Sequence, residues 1–176
     1  MSASMSGDFA DLRRLIRAVR HLATPKGQTG VVKAAAWGAL GALEERFATA
    51  TDPKGRPWKP SLRAQLEGGQ TLSDTGRLRR SFSVRATGSW GFAIGTNVRY
   101  AAPHQFGATI VPKRARALCF RLAGGRGRRK GGKGRWVTVA RVTLPPRPFF
   151  PEGNDLGRYA PHMAEAIQAY LRRTLG

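Results

Sequence analysis

The stretch FSVRATGSWGFAI, residues 82–94, is where the hydrophobic period of the chain changes from helical to alternating. Phe82 and Val84 alternate with polar residues, Thr-Gly-Ser at 87–89 is suited to a turn, and the alternation resumes at Trp90. A period of two places successive side chains on opposite faces of an extended strand. The stretch therefore predicts an antiparallel β-hairpin.

A second hairpin is predicted further along the chain. Leu118 and Phe120 alternate with Cys119 and Arg121, and residues 136–144 (WVTVARVTL) are rich in β-branched side chains. The segment that joins these two runs is rich in glycine and in basic residues, which gives it no means of packing. We therefore predict two strands connected by a long basic tip, and treat residues 123–135 as an insertion.

Helical spacing of apolar residues occurs on both sides of the hairpins. A first helix is expected from an N-cap at Asp8 to a stop at Pro25 and Gly27, a second from about 28 to 48, and a third from about 156 to 175. The second carries small residues that allow another helix or a neighbouring subunit to approach closely: Ala34, Ala35, Gly38, Ala39, Gly41 and Ala42. The whole chain, 1–176, is thus predicted to be one α+β domain. It should have a mainly antiparallel sheet of two hairpins, two N-terminal helices and one C-terminal helix.

The charge of the chain is strongly unbalanced. It holds 31 Lys and Arg against 10 Asp and Glu, a formal net charge of +21. No acidic residue lies between 75 and 151, and the densest basic region is the second hairpin tip. Such an imbalance favours nucleic acid, an anionic membrane or an acidic protein surface as partner. The candidate basic contact loop comprises Arg126, Arg128, Arg129, Lys130, Lys133 and Arg135. Its ligand is DNA phosphate or the acidic rim of a neighbouring protein, unless the loop is merely solvated.

Several function classes are disfavoured. The longest mostly apolar run, residues 31–43, is shorter than the roughly 20 residues that span a bilayer, so no membrane association is expected. Residues 1–9 have neither the basic nor the apolar part of a signal peptide. No Cys or His pair has zinc-ligand spacing, and the Gly-rich tip lacks the phosphate-loop pattern.

Catalytic residues are also scarce. Cys119 and His104 form the candidate thiol–imidazole couple, although the simpler interpretation puts Cys119 on a strand and His104 in a tight turn. We therefore expect neither enzymatic activity nor a cofactor or metal.

Four separate segments of the chain carry distinctive motifs. They are FATATDPKGRPW (47–58), LSDTGRLRRSF (72–82), IGTNVRYAAPHQFG (94–107) and LPPRPFF (144–150). Together they resemble the phage virion morphogenesis family, which includes the tail-completion proteins of contractile-tailed phages. The matching patterns are Asp-Pro-x-Gly-x-x-Trp, Thr-Gly-x-Leu, Tyr-Ala-x-x-His-Gln-Phe-Gly and Pro-x-Arg-Pro-Phe. The basic insertion departs from the family pattern.

The resemblance implies a structural virion protein. It implies tail completion or head–tail joining by a ring, with six copies favoured, at the head-proximal end of the tail. Its partners would be the tail tube or tail terminator and the neck or connector proteins, with transient contact to DNA in the lumen. The protein would be assembled in the host cytoplasm and reside in the virion. The alternative is a basic nucleic-acid-binding protein that uses its Arg/Gly-rich arm.

Seven residues of the four segments are candidates for subunit or partner contact: Trp58, Tyr100, His104, Gln105, Phe106, Arg147 and Phe149. The alternative role for all of them is intramolecular, holding the loops on the sheet. Trp58 is expected to be largely buried as the anchor of its turn. Arg147, held between prolines, is expected to pair with a carboxylate or a carbonyl near a subunit boundary and to be dispensable for folding.

Overall fold

The computed structural model describes residues 10–88, 90–122, 135–153 and 156–175. Helices and strands alternate in blocks along these residues. The helices are α1 (Ala10–Ala23), α2 (Pro25–Thr49), α3 (Leu62–Glu67), α4 (Arg77–Arg80), α5 (Ala101–Phe106) and α6 (Tyr159–Leu175). The strands are β1 (Phe82–Ala86), β2 (Phe92–Thr96), β3 (Ala108–Ile110), β4 (Leu118–Leu122), β5 (Arg135–Val139) and β6 (Val142–Leu144). The predicted α+β class is confirmed.

The corner between α1 and α2 is tighter than the sequence suggested. The first helix ends at Ala23, before Pro25 as expected, but the second begins at Pro25 and not at about 28, and the missing N–H of proline costs nothing at this first position. Thr24 is the N-cap, and its hydroxyl accepts a hydrogen bond from the Gly27 amide at 3.0 Å. A Cβ on Gly27 would lie 2.0 Å from the carbonyl oxygen of His21, so only glycine fits this corner.

Helix α2 is the centre of the fold and packs along α6. Gly38 makes the close approach possible, because a Cβ there would come within 2.4 Å of the His162 carbonyl oxygen on α6. The expectation that small residues of α2 admit another helix is confirmed at this position. Gly41 has open space around its Cα instead, so the small residues are not all used for packing.

The hydrophobic core lies where the C-terminal half of α2 meets β1 and the loops. Phe47 is fully buried and packs against three aromatic rings, those of Trp58, Phe82 and Phe149, at centroid distances of 5.5–5.7 Å. Buried aromatic side chains dominate core energetics because each removes a large apolar area from water. Two of these four rings, Trp58 and Phe149, come from loops, so the loops are part of the core.

The strands form three separate antiparallel ladders of two strands each. The first hairpin is confirmed, with Phe82 opposite Thr96 and Ala86 opposite Phe92. The second is correct only for its first part, since β4 pairs with β5. The run 136–144, predicted to be one strand, breaks at Ala140–Arg141, and its last residues pair as β6 with the unpredicted β3.

Some predictions fall on residues that the structure does not describe. They include the Asp8 N-cap and five members of the basic contact loop: Arg126, Arg128, Arg129, Lys130 and Lys133. Arg135, the sixth, begins β5 opposite Leu122. Within the described ranges, no helix is long and apolar enough to cross a membrane.

Candidate functional site

The turn of the Asp-Pro-x-Gly segment is built around Asp52. Its Oδ1 accepts hydrogen bonds from the amides of Lys54 and Arg56 at 2.9 and 2.8 Å, and its Oδ2 accepts from Arg56 Nε at 2.7 Å. Burial alone raises the pKa of the Asp52 carboxyl, but these hydrogen bonds and the Arg56 charge outweigh it, so its pKa is lowered. Gly55 completes the turn at φ +86°, a conformation that glycine adopts without strain.

Trp58 closes this turn onto the last of the four segments. The side chain is buried, as predicted, and its ring packs edge-on against Phe47 with centroids 5.5 Å apart. Its indole Nε1 donates a hydrogen bond of 2.7 Å to the Pro148 carbonyl, 90 residues away in the chain. Trp58 therefore joins two distant loops through one apolar and one polar contact.

Gln105 joins the third segment to the fourth. Its side chain is buried, and Oε1 accepts hydrogen bonds from the amides of Phe149 and Phe150 at 2.9 and 3.0 Å. Its Nε2 donates to the Phe150 carbonyl at 3.1 Å. One glutamine amide thus satisfies three backbone groups of a segment that lies outside any strand, which such a buried segment requires.

Arg147 ties the fourth segment to the first in the same way. Its backbone amide donates to the His104 carbonyl at 2.7 Å, and its Nε donates to the Lys59 carbonyl at 2.7 Å. The expected carbonyl partner is therefore present, and it belongs to the same chain. The guanidinium is buried, which lowers its pKa. From these contacts we expect Arg147 to contribute to folding, which differs from the expectation drawn from the sequence.

The bonds of Trp58, Gln105 and Arg147 interlock the loops into one unit, which we call the loop cluster: residues 52–60, 104–106 and 147–150. Four of the seven candidate contact residues lie buried in it: Trp58, Gln105, Arg147 and Phe149. Their direct contacts are intramolecular, the alternative that the sequence left open. Tyr100 and Phe106 are exposed and His104 is partly buried, so these three are the candidates that a partner can reach.

Helix α5 presents these three residues in two directions. Ala101 and Gln105, four residues apart, face the core. Tyr100 and His104 share a second face, where their rings meet edge-to-face at 6.0 Å and line an open cavity of about 290 Å³. Phe106 projects from the remaining side with 73% of its surface exposed.

His104 is the titratable group of this site. Burial lowers the pKa of its imidazole, and the nearby charge of Arg147 lowers it further. Its Nδ1 is buried and finds no hydrogen-bond partner among the described residues. The thiol of Cys119 is exposed on β4, 3.7 Å from the Thr138 hydroxyl on β5.

The sequence profile of the phage virion morphogenesis family matches residues 10–175, nearly the entire chain. The chain belongs to the phage virion morphogenesis family. Its role therefore lies in the assembly of a phage virion, and the protein is virion-associated. Searches of curated proteins and of solved structures found no match. The four segments that carry the resemblance lie within the matched residues, and three of them meet in the loop cluster.

Two buried polar residues of this family member were not singled out from its sequence. Arg46 on α2 is 1% exposed and pairs with Glu45 at 2.7 Å, while its Nε and Nη1 have no hydrogen-bond partner among the described residues. Tyr159 donates its hydroxyl proton to the Phe149 carbonyl, and burial raises its pKa. Arg46 follows the buried residues Ala35, Ala39 and Ala42 at helical spacing. Its burial could therefore have been predicted from this periodicity alone.

Proposed function

We propose that this chain is a tail-completion or head–tail joining protein that acts as a ring of identical subunits, six in number, at the head-proximal end of the tail. Family membership supports a place in virion assembly. The observation that carries the finer proposal is the loop cluster, which is locked by side-chain hydrogen bonds and presents an exposed phenylalanine on α5. Rigid aromatic anchors of this kind are typical of protein–protein interfaces.

The proposed action is mechanical and needs neither catalysis nor a cofactor. A ring has two end surfaces and a lumen, so one surface can bind the tail tube or tail terminator while the other binds the neck or connector. The chain has 31 basic and only 10 acidic residues, so it would be attracted to acidic rims on those neighbours. Passing DNA would contact the lumen transiently. No membrane takes part in this scheme.

Imaging of the assembled particle tests the proposal. Reconstruction of particles produced with a tagged copy of the chain should show its density around the tail axis, between tail and neck. Removal of the gene should yield filled heads and tails that fail to join, and added purified protein should restore joining. Density off the tail axis, or a single copy per particle, would be incompatible with the ring.

Nucleic-acid binding is the second candidate function, and the charge distribution favours it specifically. No acidic residue interrupts the chain from 75 to 151, which includes β4, β5 and the basic contact loop. Phosphate-driven binding releases counterions, so affinity should fall steeply between about 50 and 200 mM salt. A packed protein interface should change far less over the same range.

Replacement of residues 124–135 by a short neutral turn separates the two functions. Under the ring proposal the variant folds and its joining to tail or neck weakens, whereas its affinity for duplex DNA is of no consequence for infectivity. Under the second candidate, the loss of infectivity should follow the loss of DNA affinity. Fully infectious particles from this variant would assign the loop no role in either.

A further inference from the structure

Residues 100–112 include no Lys, Arg, Asp or Glu in a chain of charge +21, a property that residues 86–98 share. The run nevertheless contributes four exposed large apolar side chains, those of Tyr100, Phe106, Ile110 and Val111. Two copies of a strongly basic chain repel each other, and the repulsion is reduced where one of the contact surfaces lacks cations. A second copy can therefore approach this run with less repulsion than it meets on the basic surface.

Phe106 is the most exposed of the large apolar residues on the described surface, at 73%. It is two positions from His104 on α5, so the two side chains diverge by about 200° around the helix axis. The two residues before it are held by hydrogen bonds of the loop cluster, through the Gln105 side chain and the His104 carbonyl. Phe106 is thus an exposed knob on an anchored helix, and the described residues leave most of its ring uncovered.

The cavity on the other side of α5 has the features of a socket. Tyr100 and His104 form one wall, and Leu72 and Leu78 contribute apolar surface. Its volume of about 290 Å³ exceeds the roughly 150 Å³ that admits a benzene molecule in an engineered protein cavity. Leu72 sits at φ +62°, a conformation uncommon for leucine that the surrounding turn imposes.

The charged residues at the socket suit an aromatic occupant. Arg63 and Arg77 line it, and Arg63 lies 3.9 Å from the Asp74 carboxylate, which offsets part of the positive charge. A guanidinium is attracted to the face of an aromatic ring, whereas it would repel another cation. An uncharged aromatic knob is therefore a better occupant than any of the basic segments of this chain.

We propose that Phe106 of one copy inserts into the cavity lined by Leu72, Leu78, Tyr100 and His104 on the next copy, with Arg77 beside the inserted ring. Knob and socket lie on different sides of one short helix, so the contact joins unlike surfaces. Repetition of such a head-to-tail contact generates a ring when the rotation between neighbours closes. This inference rests on the proposed function, for which it supplies the contact between neighbouring subunits.

Disulfide trapping in the full-length chain tests the contact. In a Cys119→Ser background, copies carrying Ala102→Cys, on the same face of α5 as the intact Phe106, are mixed with differently tagged copies carrying Arg77→Cys, and both are exposed to a mild oxidant. Both positions are exposed, so the variants should keep the wild-type melting temperature. Trapping accumulates even a weak contact, because each productive encounter is retained.

The control moves the cysteine to an exposed position away from the proposed contact. Trp90 is 72% exposed, on the β1–β2 hairpin, and Trp90→Cys replaces Ala102→Cys in the control mixture. We expect the Ala102→Cys and Arg77→Cys pair to cross-link at least about tenfold faster than the control pair, since docking of Phe106 raises the local thiol concentration. Ala102→Cys alone should form few homodimers.

Two outcomes would overturn the proposal: equal rates for both mixtures, or faster formation of Ala102→Cys homodimers, which would indicate a symmetric dimer. Phe106→Ser serves as a second variant, and it should weaken self-association on the order of thirtyfold, as loss of an interface anchor does. Trp90→Ser should leave self-association unchanged. If trapping fails while particle imaging shows a ring on the tail axis, the knob-and-socket contact is wrong and the proposed function stands.

Discussion

The loop cluster has little regular structure but is buried, whereas the β4–β5 hairpin is regular but exposed. This is the reverse of the usual association of regular structure with burial. The loop cluster has almost no ladder hydrogen bonds, yet Trp58, Arg147 and Phe149 are buried in it. The hairpin has five paired positions, yet Trp136 on it is 66% exposed. Long-range side-chain bonds to carbonyl and amide groups replace the ladder in the loop cluster. Burial in these two regions therefore follows the side-chain network and not the strands.

The largest expected difference in the free energy of unfolding is between variants of two tryptophans, Trp58 and Trp136. Trp58→Ala removes a buried ring together with its bond to Pro148, and should lower the free energy of unfolding by about 3–5 kcal/mol. Trp136→Ala, on the hairpin, should change it by less than about 0.5 kcal/mol. Urea unfolding monitored by circular dichroism measures both. Similar losses for the two variants would eliminate the contrast between the regions.

Gln105→Leu should have the next largest effect. Leucine fills a similar volume but leaves the amides of Phe149 and Phe150 without the acceptor that Oε1 supplies. Each unsatisfied buried group costs about 1–3 kcal/mol, and the bond of the Phe150 amide is only partly buried, so a loss of about 2–4 kcal/mol is expected. The matched control is Gln168→Leu on the exposed side of α6, which should unfold like the wild type. A Gln105→Leu variant of unchanged stability would show that the loops are held by packing alone.

Arg147→Ala sharpens the comparison between buried and exposed arginine. It removes the bond to the Lys59 carbonyl and should cost about 1.5–3 kcal/mol, the range for hydrogen bonds to charged groups. Arg141→Ala, at an exposed position between β5 and β6, should be close to neutral. Thermal unfolding of both variants provides the measurement. If Arg147→Ala keeps full stability but fails to join tails to heads, the original expectation of a boundary contact would be restored.

The smallest effect concerns pH. The pKa of His104 is lower in the folded chain than its ordinary value of 6.5, so the unfolded chain binds more protons in this range. The contribution of neutral His104 to the free energy of unfolding is present above about pH 6.5. It is lost as the pH falls toward the folded-state pKa of His104. His104→Gln should therefore flatten the decline of melting temperature below pH 6.5, whereas Trp136→Ala should leave that decline unchanged. An identical pH profile for His104→Gln and the wild type would show that the imidazole contributes no such linkage.

The elements that were predicted correctly depend on residues that are close together in the sequence. The prediction of the β1–β2 hairpin was correct because the alternation and the turn signal lie within fifteen residues. Helices α2 and α6 were approximately right because their apolar spacing is continuous. Strand β6 was misassigned because β-branched residues predict a strand but not its partner, and its partner β3 lies more than thirty residues earlier.

The candidate site divides in the same way. The sequence by itself determined the candidates: the four segments, their order and the seven residues in them, together with a charge that favours anionic partners. Only the tertiary structure decided the directions of those side chains. In the folded chain Trp58, Gln105, Arg147 and Phe149 are buried in contacts between loops, whereas Phe106 is exposed. Residue type reports what a side chain can bond to, but its partner is set by contacts 40 to 90 residues away in the chain, which no local pattern encodes.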